Sequence, residues 1–245
     1  MRRTLLAILP CLCLLLPPCL AEATEAVSAP QLPVPQGGAR EADTATSGVR
    51  ALMTVAADRA VKALAKRDGY AANEAVRIGV PEELEHLPPY FRDRGYQEKV
   101  SAFVLSLNRA AEGAAPKAAK LFATAIRETA FDDPSKIVKG GATAATDYLR
   151  TRNFEMLAAA FRPAIVFSIK EAGVPRAYRE MMEKYDYESV APFPVDEWQF
   201  DLEGYLTGKA LDGLFRMMGK EEQRIREEPT ARTGELLRGL FGNPD

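Results

Sequence analysis

Residues 99–129 read KVSAFVLSLNRAAEGAAPKAAKLFATAIRET, and this stretch decides the fold class because its apolar side chains recur at helical spacing. Residues three and four apart share one face of a helix. The face formed in this way holds Val100, Phe103, Val104, Leu107 and Ala111. Gly113 and Pro116 are expected to break or kink the helix, after which the pattern resumes to about residue 129.

The same helical period covers most of the remaining chain. Apolar stripes predict further helices near residues 52–64, 145–149, 154–169, 201–227 and 236–241. A short helix is expected to begin at Pro134, with Asp132 or Asp133 as its cap. Residues 76–80 are the only strand-like stretch. We therefore predict an all-α fold, a single multi-helix domain with at most one very short strand segment.

The composition is that of an ordinary globular protein. The chain has 245 residues, of which 47% are hydrophobic and 27% charged, with 17 glycines and 17 prolines. These proportions exclude a fully disordered chain, a collagen-like chain and a polytopic membrane protein.

The N-terminus has the order of a secretory signal peptide. Arg2 and Arg3 precede an apolar run over residues 5–16, and small residues follow at Cys19 and Ala21. The run is too short for an ordinary transmembrane helix, so we predict cleavage after Ala21, with Ala23 as the alternative, and a periplasmic location. Cleavage removes two of the 32 basic residues and leaves 30 against 34 acidic ones, a net charge near −4. That charge argues against a general nucleic-acid binder.

All three cysteines, Cys11, Cys13 and Cys19, lie within this predicted signal peptide. The exported chain is therefore expected to have no disulfide, no thiolate nucleophile and no cysteine metal ligand. Lipid attachment at Cys19 is the alternative, although Pro18 stands where a small residue is expected. Residues 22–46 contain Pro and Gly but no apolar period, which predicts a disordered tether before a helical domain at 47–242.

Several segments resemble the bacterial family called domain of unknown function 4197. They are SLNRAAEGAAPKAAKLFATAI, GGATAATDYLR, FRPAIVFSI, YLTGKALDGLF and IREEPTARTGELLRGLFG, with DGYAANEAVRIGVPEEL upstream. The resemblance spans nearly all of the chain after the tether, although Gly208 replaces a frequent polar helix former and residues 185–198 match least. It implies a secreted or envelope-associated bacterial protein and brings no established activity or catalytic site.

Nucleophilic and metal chemistry find little support in the residues. His86 is the only histidine, and it lies beside two prolines and several carboxylates without ligands at metal-binding spacing. We expect a loop or helix-end histidine there, and no metal or cofactor. Gly140 and Gly141 lack phosphate-loop spacing and predict a turn between helices.

Eight polar residues on the predicted helices are candidate ligand contacts: Asn108, Glu112, Asp147, Arg150, Lys209, Asp212, Glu222 and Arg226. Asn108 and Glu112 flank an apolar stripe, so we expect them to join neighbouring helices through hydrogen bonds. Asp147 and Arg150 are either interhelical contacts or part of a ligand site.

The predicted helix at residues 201–227 separates its charges into two groups. Lys209 and Asp212 are expected to form a solvated ion-pair face together with Arg216. Glu222 instead shares the direction of buried apolar residues, so it should be buried and paired with Arg226 four residues later.

These features favour a non-catalytic binding or interaction module of the cell envelope, whose partner is another protein or an apolar small molecule or lipid. One alternative is an enzyme that uses carboxylates, which requires at least two of Glu112, Asp147 and Glu222 to converge in one pocket. The other is a purely structural envelope protein without a pocket.

Overall fold

Helices account for most of the structure, a computed structural model that describes residues 36–81, 84, 94–182 and 201–241. Within these ranges there are seven α-helices and no β-strand. The helices are α1 (Gln36–Leu64), α2 (Arg94–Glu128), α3 (Pro134–Val138), α4 (Ala144–Glu171), α5 (Val174–Met182), α6 (Leu202–Glu227) and α7 (Glu235–Phe241), with a 3-10 turn at Pro229–Ala231. The prediction of an all-α fold is confirmed.

The core lies among the four long helices α1, α2, α4 and α6. Helix α2 packs along α4, and α6 packs along both α1 and α4. Phe122 of α2 meets Phe215 of α6 edge-to-face, with ring centroids 5.1 Å apart. Helix α5 covers one part of α2, where Phe103 contacts Tyr178. Burial of these apolar faces supplies the main driving force for folding.

Two predicted helix starts are confirmed by their capping bonds. The Asp133 carboxylate accepts a hydrogen bond from the backbone N–H of Lys136, and Pro134 is the first residue of α3. The Asp201 carboxylate accepts one from the N–H of Gly204, and α6 then continues to Glu227 as expected. Each carboxylate satisfies an N–H group that the helix itself leaves unpaired.

The expected break in α2 at Gly113 and Pro116 is wrong, and the alternative of a kink there stays a prediction. Helix α2 runs unbroken past both residues, and the Pro116 side chain is exposed. A proline inside a helix costs about 3 kcal/mol, since it removes one backbone hydrogen bond. Here the same buried face continues on both sides, from Ala111 to Ala118 and Phe122, and its packing outweighs that cost.

The predicted boundary between tether and domain also needs correction. Helix α1 begins at Gln36, so residues 36–46 are helical and belong to the domain. Ala45 is buried, and Gly48 lies against Leu240 of α7, so the packed face begins before residue 47. The predicted signal peptide, the cysteines, residues 22–35 of the tether and His86 lie outside the described residues.

Residues 76–80, the only strand-like stretch of the sequence, form no strand, which agrees with the prediction of at most one. Residues 65–81, which we call the 65–81 segment, form turns and extended backbone after α1. Val76 and Ile78 are buried while Arg77 is exposed, which explains the alternation. The side-chain amide of Asn108 bonds to both the N–H and the C=O of Ile78, and so takes the place of a neighbouring strand.

None of the helices in the described ranges has the length and apolar character needed to cross a membrane.

Candidate functional site

Asn108 and Glu112 of α2 fasten the 65–81 segment. The completely buried Asn108 amide accepts from the N–H of Ile78 at 2.9 Å and donates to the Ile78 carbonyl at 2.8 Å. Glu112 Oε1 accepts from the N–H groups of Tyr70 and Ala71, each at 3.1 Å. The expectation that these two residues join neighbouring helices is therefore wrong, because their partners are backbone groups of a non-helical segment.

Glu112 also holds a charged network at the surface. Its Oε2 accepts from Arg109 at 2.6 Å, and Arg109 reaches Asp68 at 2.7 Å. Asp68 has φ of 66°, a left-handed conformation that is uncommon for a residue other than glycine. The network holds the turn after α1 in this conformation.

Tyr70 joins the 65–81 segment to α6. Its hydroxyl donates to the Ala210 carbonyl at 2.7 Å, and the side chain is completely buried. Burial, followed by the negative charge of Glu112, raises the pKa of Tyr70 far above its ordinary value. The phenol therefore stays protonated and remains a hydrogen-bond donor.

Gly213 allows α6 to approach the Tyr70 ring closely. A Cβ atom added at Gly213 would lie 2.6 Å from Tyr70 Cε1, which is shorter than van der Waals contact. At Gly208, on the same helix, an added Cβ would meet no atom within 4 Å.

Gly213→Ala is expected to destabilise the protein by about 1–3 kcal/mol, since the Tyr70 ring must shift inside a packed core. Gly208→Ala is the matched control and should be neutral or stabilising by about 0.4–1 kcal/mol, because alanine favours a helix. Urea unfolding monitored by circular dichroism measures both variants. Equal stability of the two would contradict the close approach of α6 to Tyr70.

Glu222 is buried and ion-paired, as predicted. Its side chain is 1% exposed, and Oε1 lies 2.7 Å from Arg226 Nη2. The carboxylate also accepts from the N–H of Ala145 at 2.9 Å and from the N–H and hydroxyl of Thr146, both at 2.7 Å. These N–H groups lie in the first turn of α4, where the helix dipole favours a negative charge.

Arg226 extends this interaction to α3. Its guanidinium donates to the carbonyls of Ile137 and Val138 at the C-terminal end of α3. The pair Glu222–Arg226 thus connects the end of α3 with the start of α4 across Gly140 and Gly141. The predicted turn between helices is confirmed there. The N–H groups just after it, of Ala145 and Thr146, donate to the Glu222 carboxylate of the same chain.

A cleft opens between the 65–81 segment, α4 and α6, with a volume of about 360 Å³. We call it the basic cleft. Its lining comprises Ala75, Val76, Arg77, Ile78, Arg150, Lys209, Asp212, Gly213 and Arg216. Three of the eight candidate residues, Arg150, Lys209 and Asp212, come together here.

The cleft contains four cationic side chains and one carboxylate. Asp212 Oδ1 pairs with Arg150 Nη2 of α4 at 2.6 Å, and both side chains are about half exposed. The expected ion-pair face of Lys209, Asp212 and Arg216 is therefore wrong, because Asp212 takes its partner from another helix. The pair leaves three positive charges in the cleft without a neutralising carboxylate.

Those three cations have few other contacts. Arg216 donates through Nη1 to the Ala75 carbonyl at 2.6 Å. Lys209 Nζ lies 5.6 Å from the centre of the Tyr205 ring. Arg77 forms no hydrogen bond or ion pair with the part of the chain that the structure describes. Most of their N–H groups are consequently available to a ligand.

A comparison with known families identifies the family of this chain. The model of the family described as Protein of unknown function (DUF4197) matches residues 39–242. The chain belongs to the DUF4197 family. No curated protein and no solved structure gives a significant match. The DUF4197 match includes every residue that lines the basic cleft, and it confirms the resemblance seen in the sequence segments.

The candidate residues outside the basic cleft make separate contacts. Asp147 is exposed and accepts from the Thr143 hydroxyl at 2.8 Å. It does not line the basic cleft, and neither do the buried carboxylates Glu112 and Glu222, which are occupied by donors of this chain. These positions do not provide the common pocket that a carboxylate-based enzyme requires. No group of three or more His, Cys, Asp or Glu side chains within 36–81, 94–182 and 201–241 is placed to hold a metal ion.

Sequence reasoning missed Arg77 and did not connect Arg150 with Lys209. Arg77 follows a buried valine in a non-helical segment, so helical periodicity assigns it to no face. Its one available signal was the alternation over residues 76–80, which sets Arg77 apart from the buried Val76 and Ile78. Arg150 and Lys209 come together only because α4 packs along α6.

Proposed function

We propose that this protein is an exported, non-catalytic binding module of the cell envelope that holds an anionic ligand in its basic cleft. The observation that carries the proposal is the arrangement of four cations around one carboxylate in a concave site. The sequence order of the N-terminus, typical of a secretory signal peptide, supports the location.

The charge contrast between the cleft and the whole chain supports selective binding of an anion. The chain has a formal net charge of −2, yet the basic cleft has a local excess of three positive charges. A concave site lined by one sign of charge concentrates ligands of the opposite sign. Its volume lies at the lower end of the range of about 300–1,000 Å³ typical of small-molecule pockets.

An apolar ligand has less support. A depression of about 350 Å³ between α4 and α6 is lined by Phe154, Ala158 and Ala159, but also by the charged side chains of Glu155 and Arg162. The apolar depression between α1 and α2, lined by Ala57, Ala119, Ala123 and Ile126 together with Thr54 and Asp58, has a volume of only about 150 Å³. That is below the size range of small-molecule pockets. The geometry therefore favours a charged ligand over the lipid-like one expected from the apolar helices.

Native mass spectrometry of the purified protein tests this proposal. The protein is produced from its full-length coding sequence and isolated at low ionic strength from an envelope extract. We expect a bound anionic molecule in the wild type and its loss in the double variant Arg77→Glu, Lys209→Glu, because the variant reverses two charges of the cleft.

The matched control is Lys117→Glu, Lys120→Glu on α2, which changes the net charge equally at exposed positions outside the cleft. It should retain the ligand. An unliganded wild type, or equal retention by the cleft variant, would contradict the proposed function.

A further inference from the structure

We infer that the basic cleft recognises the phosphate of a small hydroxylated phosphate monoester, an inference that rests on the proposed function. We base it on three features of one cleft. Three cations lack a carboxylate partner among the described residues, one carboxylate has only one oxygen engaged, and the volume is limited.

The charge of the cleft suits a dianion. Arg150 is neutralised by Asp212, whereas Arg77, Lys209 and Arg216 have no carboxylate partner among the described residues. A single carboxylate ligand would leave two of these positive charges uncompensated. A phosphate monoester carries a charge of about −1.5 to −2 at pH 7 and matches the excess more closely.

The donors of the cleft suit phosphate oxygens. A guanidinium presents five N–H groups in a planar fork that binds phosphate through paired hydrogen bonds. Arg77 has all five uncommitted within the described ranges, and Arg216 engages the Ala75 carbonyl through Nη1. Lys209 adds an ammonium group from about two turns before Arg216 on α6, so donors reach the ligand from the 65–81 segment and from α6.

Asp212 supplies the acceptor that a hydroxyl group of the ligand needs. Its Oδ1 is engaged by Arg150, and Oδ2 accepts no hydrogen bond from any described residue. A carboxylate oxygen in a site of cations would repel a second anionic group and accept a hydrogen bond from a hydroxyl group. A phosphate that carries a hydroxylated organic group therefore fits better than pyrophosphate.

The volume favours a compact ligand over a polymer. A cleft of about 360 Å³ lies near the lower end of the range of about 300–1,000 Å³ for small-molecule pockets, so it accommodates a compact ligand. A nucleic-acid strand would extend from the cleft onto the rest of a chain whose net charge is negative.

Isothermal titration calorimetry with glycerol 3-phosphate tests the inference, at pH 8 and constant ionic strength. The protein is the product of the full-length coding sequence. We expect saturable binding that weakens at least tenfold in Arg77→Gln and in Lys209→Gln. Lys117→Gln and Lys120→Gln are the matched controls and should bind like the wild type.

Three comparison ligands separate the contribution of the phosphate group from that of its second charge. Glycerol lacks the phosphate and acetate lacks its second charge, so both should bind at least tenfold more weakly. Lowering the pH from 8 to 5 converts the phosphate to a monoanion, since its second pKa is about 6, and should weaken binding of glycerol 3-phosphate. Sulfate stays a dianion over this range and should show no such pH dependence.

The source of the phosphate is identified by a second experiment with vesicles that contain phosphatidylglycerol phosphate, whose headgroup carries a hydroxyl group and a phosphate monoester. Cleft-dependent binding of glycerol 3-phosphate without vesicle binding assigns a soluble ligand, and cleft-dependent vesicle binding assigns a lipid headgroup. Either result supports the inference. If neither probe binds, or if the cleft variants bind as well as the wild type, the inference is overturned.

Failure of this inference is distinguishable from failure of the proposed function. A cleft-dependent anionic adduct without phosphorus in native mass spectrometry would retain the proposed function and reject phosphate.

Discussion

Replacement of Glu222 by alanine is expected to lower the free energy of unfolding by about 3–5 kcal/mol. The carboxylate is 1% exposed, and Arg226, its partner, is 10% exposed. Without Glu222 the Arg226 guanidinium stays desolvated, and the N–H groups of Ala145 and Thr146 lose their acceptor. Unfolding in urea, measured by circular dichroism, gives the difference directly.

Asp212→Ala is the comparison for this prediction. Asp212 lies on the same helix and also pairs with an arginine, but the pair is about half exposed. Its loss should cost on the order of 0–1 kcal/mol, as for other exposed pairs. Equal stabilities of the Glu222 and Asp212 variants would show that the buried pair does not hold α3 and α4 to α6.

Replacement of Glu112 by alanine should have the second-largest effect and lower the free energy of unfolding by about 2–4 kcal/mol. Two N–H groups, of Tyr70 and Ala71, lose their acceptor at a cost of about 1–3 kcal/mol, and Arg109 loses its closer partner. Arg109 is partly exposed and keeps Asp68, so the penalty is smaller than for a fully buried pair.

Hydrogen exchange of the Glu112→Ala variant locates the effect. Amides of the 65–81 segment should exchange faster than the loss of global stability alone explains. Amides in the middle of α4 should exchange faster only by as much as that loss explains. Glu155→Ala, at an exposed position of α4, is the control and should change neither. Uniform protection in the Glu112 variant would contradict the fastening role of this carboxylate.

Local rules were sufficient for much of the helical framework. The apolar stripe of residues 201–227 predicted α6, and Asp201 caps it as such a residue should. The direction of Glu222 among apolar residues predicted its burial, and its spacing to Arg226 predicted the pair. These are properties of one helix, and a period of 3.6 residues determines them without knowledge of any neighbour.

Features that depend on packing between distant segments were predicted less well. Pro116 was expected to interrupt α2, but the buried face around it comes from tertiary contacts that the local sequence does not reveal. The partners of Asn108 and Glu112 are backbone groups some 30–42 residues earlier in the chain. A side chain that binds backbone leaves no periodic signal at the partner position.

The basic cleft shows the same division between local and distant information. Helical spacing placed Lys209, Asp212 and Arg216 on one side of α6. Only the packing of α6 against α4 and the 65–81 segment adds Arg150 and Arg77, and thereby turns a charged face into a concave site. The positive charge of the site therefore depends on the packing of three separate parts of the chain.

The measurement that tests the central claim most directly is an NMR titration of the isotope-labelled protein with glycerol 3-phosphate. If the basic cleft is the binding site, the largest amide shifts should lie at residues 75–78 and 209–216, with a smaller group around Arg150. The shifts should disappear in Arg77→Gln, Lys209→Gln. An unchanged spectrum would contradict phosphate recognition by the cleft, and shifts centred on the turn between α3 and α4 would contradict the cleft as the binding site.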